Sequence, residues 1–171
     1  MPLCRSVFWG AVCFLFFSCQ EQKEEPPNLP PYIVGHIPYD ESKDNPDFEL
    51  CNNGYIIENG GRRSPYKGGV KKMWTYFQPT FDQLAYKKGE DGYLTVRFLA
   101  NCKGEKDRFR VLAINKRYRP KEFSEDITTL LLESVRNAPD WQIASHKGKN
   151  YDGYNMVTFK LTDGQVTDLI P

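Results

Sequence analysis

The sequence lacks a surplus of charge of either sign. It has 23 basic and 22 acidic residues in a chain of 171. Proteins that bind nucleic acid through its phosphates carry a surplus of basic residues, usually gathered in a patch or stripe. The charge balance therefore argues against a nucleic-acid partner.

Histidine is scarce and catalytic motifs are absent. His36 and His146 are the only histidines, and no ligand pair has the short spacing typical of zinc sites. There is no Gly-x-Ser-x-Gly turn, no phosphate-binding loop and no His-Glu-x-x-His motif. Cys102 would need a nearby base and a positive setting to act as a nucleophile. We therefore predict no cofactor and no bound metal, and a protein that is not an enzyme.

No apolar run is long enough for a permanent membrane-spanning helix, which needs about 20 residues. The main apolar run covers residues 7–17 and follows Arg5, the only charged residue before Glu21. A short basic start followed by an apolar segment is typical of a secretory signal peptide. The sequence therefore predicts a cleavable signal peptide over residues 1–18. Its removal takes away Arg5 and leaves 22 basic and 22 acidic residues.

The end of this run, Phe16-Phe17-Ser18-Cys19, resembles the lipobox of bacterial lipoproteins. In that class a small residue precedes the cysteine that becomes acylated. Phe16 stands where leucine is usual, which is similar to lipoproteins of the Bacteroidota. The resemblance implies lipidation of Cys19, and two or three acyl chains hold a protein firmly on a membrane. The expected location is a bacterial membrane, with the outer membrane favoured, and the protein would face the periplasm or the cell surface.

Residues 19–31 are expected to connect the lipid to the folded part. The acidic stretch at residues 20–25 resembles the export signal of surface-exposed Bacteroidota lipoproteins, although an ordinary solvated linker has the same composition. The proline-rich stretch at residues 26–31 predicts an extended tether of about 3.1 Å per residue.

Two further cysteines, Cys51 and Cys102, remain after Cys19. An oxidising exported compartment permits a disulfide between them. Such a bond would close a loop of about 50 residues and could stabilise the fold by roughly 4 kcal/mol. The alternative use of these cysteines is metal binding together with His36 and His146.

Residues 32–80 form the less regular half of the sequence. Glycine, asparagine and proline divide this stretch into short pieces. Residues 55–57 and 70–76 favour short strands because they are rich in β-branched and aromatic side chains. We expect an irregular, strand-containing subregion that Cys51 links to the rest.

Residues 81–171 are more regular and predict an α+β domain. Apolar residues alternate over residues 94–100 and 108–115, which predicts a β-hairpin. A helix is expected to begin at Ser124 and end at Pro139. Residues 154–161 alternate again, and residues 165–170 add a short last strand after a tight turn. The predicted order is β-β-α-β.

This order resembles the TonB C-terminal domain. The hairpin segment Gly92-Tyr93-Leu94-Thr95-Val96-Arg97-Phe98 is similar to the opening hairpin of that domain. Pro139-Asp140-Trp141 matches its Pro-x-Trp hallmark, and Gly148-Lys149 matches its Asn-Gly-Lys loop except that Lys147 replaces the asparagine. The resemblance covers about residues 81–166 and implies an antiparallel sheet with one main helix.

The resemblance also implies a way of binding. The family adds an extended segment of an outer-membrane receptor to a free sheet edge, where backbone groups are unpaired. By position, the last long strand would offer Tyr154, Met156, Thr158 and Lys160 to a partner such as an outer-membrane β-barrel transporter. The alternative is that this strand is an ordinary member of the sheet.

The departures from the family narrow the functional prediction. A lipid anchor and a short tether stand where energy-transducing members have a membrane-spanning helix and a long periplasmic segment. An energy-transducing role is therefore weakened. We predict a membrane-anchored envelope lipoprotein that is a non-catalytic protein- or peptide-binding module, with an accessory scaffold as the alternative.

Overall fold

The computed structural model describes residues 36–51, 56–58 and 65–171, which belong to one structural unit, Pro31–Pro171. The predicted signal peptide, the predicted lipidation site Cys19 and the predicted tether lie outside the described residues. Neither described helix combines the length and the apolar character needed to cross a membrane.

The α+β class is confirmed, with two helices and six strands in the described ranges. The sheet is mixed and a second helix is present, whereas the sequence predicted an antiparallel sheet with one main helix. The elements are β1 Ile56–Glu58, α1 Gly69–Phe81, β2 Gly92–Ala100, β3 Lys106–Ile114, α2 Glu125–Asn137, β4 Ala144–His146, β5 Lys149–Thr162 and β6 Gln165–Ile170.

Strand β5 organises the sheet because it has partners along both sides. The strand order is β1-β5-β2-β3, and β4 and β6 also pair with β5. Strand β2 runs antiparallel along one side of β5, from the Gly92–Leu161 pair to the Ala100–Gly153 pair. On β5, residues 152–154 pair in parallel with β1, and residues 158–162 pair with the antiparallel strand β6.

The core lies between one face of this sheet and the two helices. Alternating residues of β2 and β5 point into it, as the sequence pattern predicted, and α2 contributes one apolar face. Burying each such side chain stabilises the fold by roughly 1.5–3 kcal/mol. The fully buried members include Leu94, Val96, Phe98, Ile127, Leu131, Val135, Val157, Phe159 and Leu161.

Helix α1 corrects the prediction of a strand at residues 70–76. Its buried residues are Met73, Phe77 and Phe81, which recur every four positions and form one helical face. The β-favouring aromatic residues around them and Pro79 in the last turn obscured that period. The tight entry to the helix uses Gly68, whose φ of 92° is costly for other residues. The strand predicted at residues 55–57 corresponds to β1 at Ile56–Glu58, and Tyr55 lies outside the described residues.

Residues 36–51, here called the N-terminal strap, cover part of the other face of the sheet. Ile37 packs there with Leu99 and Tyr154. The strap is held by a bidentate contact between Asp44 and Arg110 at 2.7 Å and by the Cys51–Cys102 disulfide. The predicted cysteine pairing is therefore confirmed.

Candidate functional site

The predicted partner-binding residues lie on β5, which is an interior strand. Tyr154 pairs with Leu99 on one side and with Glu58 on the other. Its ring is buried, and its hydroxyl accepts a hydrogen bond from the amide of Ile37. At Tyr154 the expected free edge is therefore taken by β1.

The same correction applies further along β5. Thr158 pairs with β2 and with Ile170 of β6, and Lys160 likewise has a partner on each side. Met156 lies between the β1 and β6 pairings and is 47% exposed. Three of the four predicted residues therefore cannot add a partner strand, because strands of the same chain already occupy both sides.

Two of the outer strands, β3 and β6, carry contacts that occupy single backbone groups. The amide of Lys121 donates to the carbonyl of Ala113 on β3. On β6, the side chain of Asp168 accepts the amide of Leu169 at 2.9 Å. Local caps of this kind protect sheet edges, so addition of a partner strand there would have to displace them.

A concave surface lies instead on the helix side, where α1 begins and the chain leaves α2. It is an open groove of about 500 Å³, which we call the tyrosine groove. Its lining residues come from the two ends of this junction and are Tyr66, Gly68, Lys71, Lys72, Thr75, Tyr76, Pro139 and Asp140.

Two short segments far apart in sequence form the base of the groove. Tyr66 and Trp141 make an isolated antiparallel bridge. The amide of Lys67 donates to the carbonyl of Asp140 at 2.8 Å, and the amide of Gln142 donates to that of Pro65 at 2.7 Å. The Pro-x-Trp segment noted in the sequence thus connects the end of α2 to the segment before α1.

Aromatic rings join the groove to the core. Tyr66 is 1% exposed, and its ring meets the Trp141 ring edge-on at 5.3 Å. The Trp141 ring contacts Phe98 in turn, at 4.8 Å. Tyr76 forms a wall that is 38% exposed, and its hydroxyl donates to the carbonyl of Asn137 at 3.3 Å. These contacts connect the lining of the groove to the core.

The burial of Tyr66 leads to a prediction about how the stability of the fold depends on pH. Burial raises the pKa of Tyr66 to about 12 from 10.0, and the nearby Asp140 carboxylate and Tyr76 add to the effect. Because the folded-state pKa is higher, this stabilisation is complete below pH 10 and is lost as the pH rises towards 12. Raising the pH from 8.5 to 11 should lower the free energy of unfolding of both proteins. We expect the drop to be about 1.4 kcal/mol smaller in Tyr66→Phe than in the wild type. Urea unfolding at the two pH values measures this, with exposed Tyr86→Phe as the control; equal losses in all three proteins would contradict it.

The rim of the groove is positively charged. Lys72 contacts Asp140 at 2.6 Å, and this hydrogen bond holds the pKa of the Asp140 carboxyl below its usual range. Lys67 and Lys71 are exposed, and no ion pair engages either of them within the described part of the chain. Lys71 and Lys72 line the groove together with Asp140, and Lys67, in the adjoining segment, also lowers the pKa of the Asp140 carboxyl.

The remaining candidate site residues are the two cysteines and the two histidines. Cys51 and Cys102 are bonded to each other, so Cys102 is not a free thiol. The fully buried carboxylate of Asp152 accepts the amides of both cysteines, at 2.9 and 3.0 Å. These three side chains lie close enough to hold a metal, but the sulfurs are engaged in the bond. His36 and His146 are exposed, and His36 approaches the Tyr154 hydroxyl at 3.2 Å.

Comparison with protein-family models, with curated proteins and with solved structures finds no match to this chain.

Sequence reasoning missed the groove because it assigned residues 70–76 to a strand. The spacing of Met73, Phe77 and Phe81 would have revealed the helix. That helix places Lys72 and Tyr76 four residues apart, on one exposed face. Only Pro139 and Asp140 among the lining residues belong to a motif that the sequence singled out.

Proposed function

We propose that the protein is an envelope lipoprotein, anchored through Cys19, that binds an extended segment of another envelope protein without catalysis. The tyrosine groove carries this proposal. Its volume of about 500 Å³ is in the usual range for binding sites, which combine an apolar floor with a few polar groups. The buried ring of Tyr66 supports the groove from below, and Tyr76 offers an exposed anchor; tyrosines are often the residues that dominate binding energy.

A TonB C-terminal-like fold for residues 81–166 is part of the proposal. Its support is the chain order β2, β3, α2 and β5, with Pro139-Asp140-Trp141 directly after α2. The family's docking side on β5 is occupied here by β1 and β6. We therefore assign the partner, with an outer-membrane β-barrel transporter as the leading class, to the groove instead of to β5.

Photocrosslinking in cells tests this function. A benzophenone amino acid at position 76 should give a covalent adduct with an envelope protein, and peptide mapping should place the crosslink in one extended segment. The matched control is the same amino acid at Tyr86, whose side chain is 67% exposed beyond the opposite end of α1. In Cys19→Ser, both the adduct and recovery in the membrane fraction should fall. Equal adducts from positions 76 and 86, or none from position 76, would contradict the function.

An accessory scaffold is the second candidate, and the occupied sides of β5 favour it. A scaffold has no need of the groove surface. Tyr76→Ala would then leave every association of the protein in the envelope unchanged, whereas the binding function requires that the variant lose its partner.

A further inference from the structure

We infer that the tyrosine groove selects an acidic peptide, with carboxylates over Lys71 and the adjacent Lys67 and an adjoining apolar side chain against Tyr76 and Pro139. This inference rests on the proposed binding function and names the chemical class of the partner segment.

The first step is the distribution of charge. The whole chain is balanced, with 23 basic and 22 acidic residues, whereas the groove is lined by Lys71, Lys72 and the single carboxylate of Asp140, with Lys67 in the adjoining segment. Lys72 is neutralised by Asp140 at 2.6 Å. Lys71 and Lys67 remain exposed beside this pair. A carboxylate of a partner would therefore find its strongest attraction at Lys71, with Lys67 beside the groove adding to it.

The second step is the position of Lys71 in α1. The helix begins at Gly69, its first turn has no acidic residue, and Gly68 before it supplies no side-chain cap. Because the start of a helix carries partial positive charge, a lysine in its first turn is an unfavourable placement. A bound carboxylate relieves that repulsion and gains attraction from the lysine at the same time.

The third step is the apolar surface beside these charges. The groove has an aromatic floor at Tyr66, a wall at Tyr76 and a further apolar contact at Pro139. A flat basic patch would suit an anionic membrane surface, whereas a concave aromatic surface bordered by lysines suits a peptide that joins acidic and apolar side chains. The peptide is therefore the favoured ligand.

Fluorescence anisotropy tests the inference with residues 20–171, which include every described residue. The probes are the labelled peptides Glu-Glu-Pro-Tyr-Glu-Glu, its all-Gln counterpart and its all-Lys counterpart. We expect the acidic peptide to bind, the Gln peptide to bind about tenfold more weakly and the Lys peptide not to bind. Added salt should weaken the binding of the acidic peptide, because exposed charges are screened.

Variants test whether the peptide binds in the groove and whether the charge of Lys71 contributes to its binding. Lys71→Glu should weaken acidic-peptide binding about fivefold, and Tyr76→Ala about 30-fold. Lys88→Glu is the matched control, because it makes the same change of charge at a lysine that is exposed beyond the opposite end of α1, and it should bind like the wild type. Tyr76→Phe keeps the ring and should retain most of the affinity.

Other results would overturn the inference in distinguishable ways. Equal binding of the three peptides with loss only in Tyr76→Ala would leave the binding function standing and remove the charge selection. Binding to phosphatidylglycerol vesicles without binding to the acidic peptide would assign the lysines to a membrane surface. If no peptide binds, the inference is wrong, and the crosslink from position 76 then decides the proposed function separately.

Discussion

Replacing both Cys51 and Cys102 by serine should lower the free energy of unfolding by about 4 kcal/mol. The bond joins residues 51 positions apart, so it removes many conformations from the unfolded chain. The folded geometry should change little, because Asp152 would still accept the amides of both residues. Urea unfolding at neutral pH measures the loss as a shift of the midpoint.

Reduction provides the matched control for this prediction. The wild-type protein unfolded in the presence of dithiothreitol should show the same midpoint as the double-serine variant. Dithiothreitol should not move the midpoint of the variant itself. A variant that unfolds at the wild-type midpoint would show that the bond does not limit the unfolded chain, and the assigned stabilisation would be wrong.

The cysteine pairing was predictable because only Cys51 and Cys102 remain after Cys19. The regular strands and helix α2 were predictable because their signals lie within short stretches of sequence. Alternation of buried residues identifies β2, as at Leu94, Val96 and Phe98. Helix α2 likewise shows its apolar face at Ile127, Leu131 and Val135. In each case one period of polarity matches one element, so no distant contact is needed to recognise it.

Strand β5 shows where local patterns fail. The alternation begins clearly at residue 154, whereas the strand begins at Lys149. Its early residues include Asp152 and Gly153, which are uncommon within strands. Asp152 is accommodated because two distant amides, from Cys51 and Cys102, donate to its carboxylate. No sequence pattern near residue 152 predicts those donors.

The groove depends even more on distant contacts. Its base joins the segment at Tyr66 to the segment at Trp141, which are 75 positions apart. Composition and spacing cannot place two such segments side by side. The same limit applies to the parallel pairing of β1 with β5, which fills the side expected to be free. The prediction of a free edge on β5 was therefore wrong, because the pairings with β1 and β6 depend on tertiary contacts that the local sequence does not contain.

Removing the carboxylate of Asp44 should destabilise the fold by about 3 kcal/mol. Its side chain is 1% exposed, and both oxygens accept hydrogen bonds from Arg110 at 2.7 Å. Asp44→Ala would leave a largely buried guanidinium without its carboxylate. The loss should be concentrated in the N-terminal strap, where the amide of Asp40 also donates to Asp44. Urea unfolding at pH 7 gives its size, and hydrogen exchange locates it.

Lowering the pH should remove the stabilisation that the Asp44 carboxylate provides. Burial alone would raise the pKa of Asp44, but hydrogen bonds from Arg110 and from the Asp40 amide outweigh it and hold the pKa below its usual range. The stabilisation is therefore present above the unfolded-state pKa of about 4 and is lost as the pH falls through the lower folded-state pKa. Between pH 7 and pH 3 the wild type should lose more stability than Asp44→Ala.

The matched control is Asp47→Ala, which removes an exposed carboxylate three residues further along the strap. Its unfolding free energy should stay within about 0.5 kcal/mol of the wild type. If Asp44→Ala and Asp47→Ala behave alike at both pH values, the strap is held by the disulfide and by its apolar contacts with Leu99 and Tyr154. Since those contacts are independent of pH in this range, acid would then leave the strap in place.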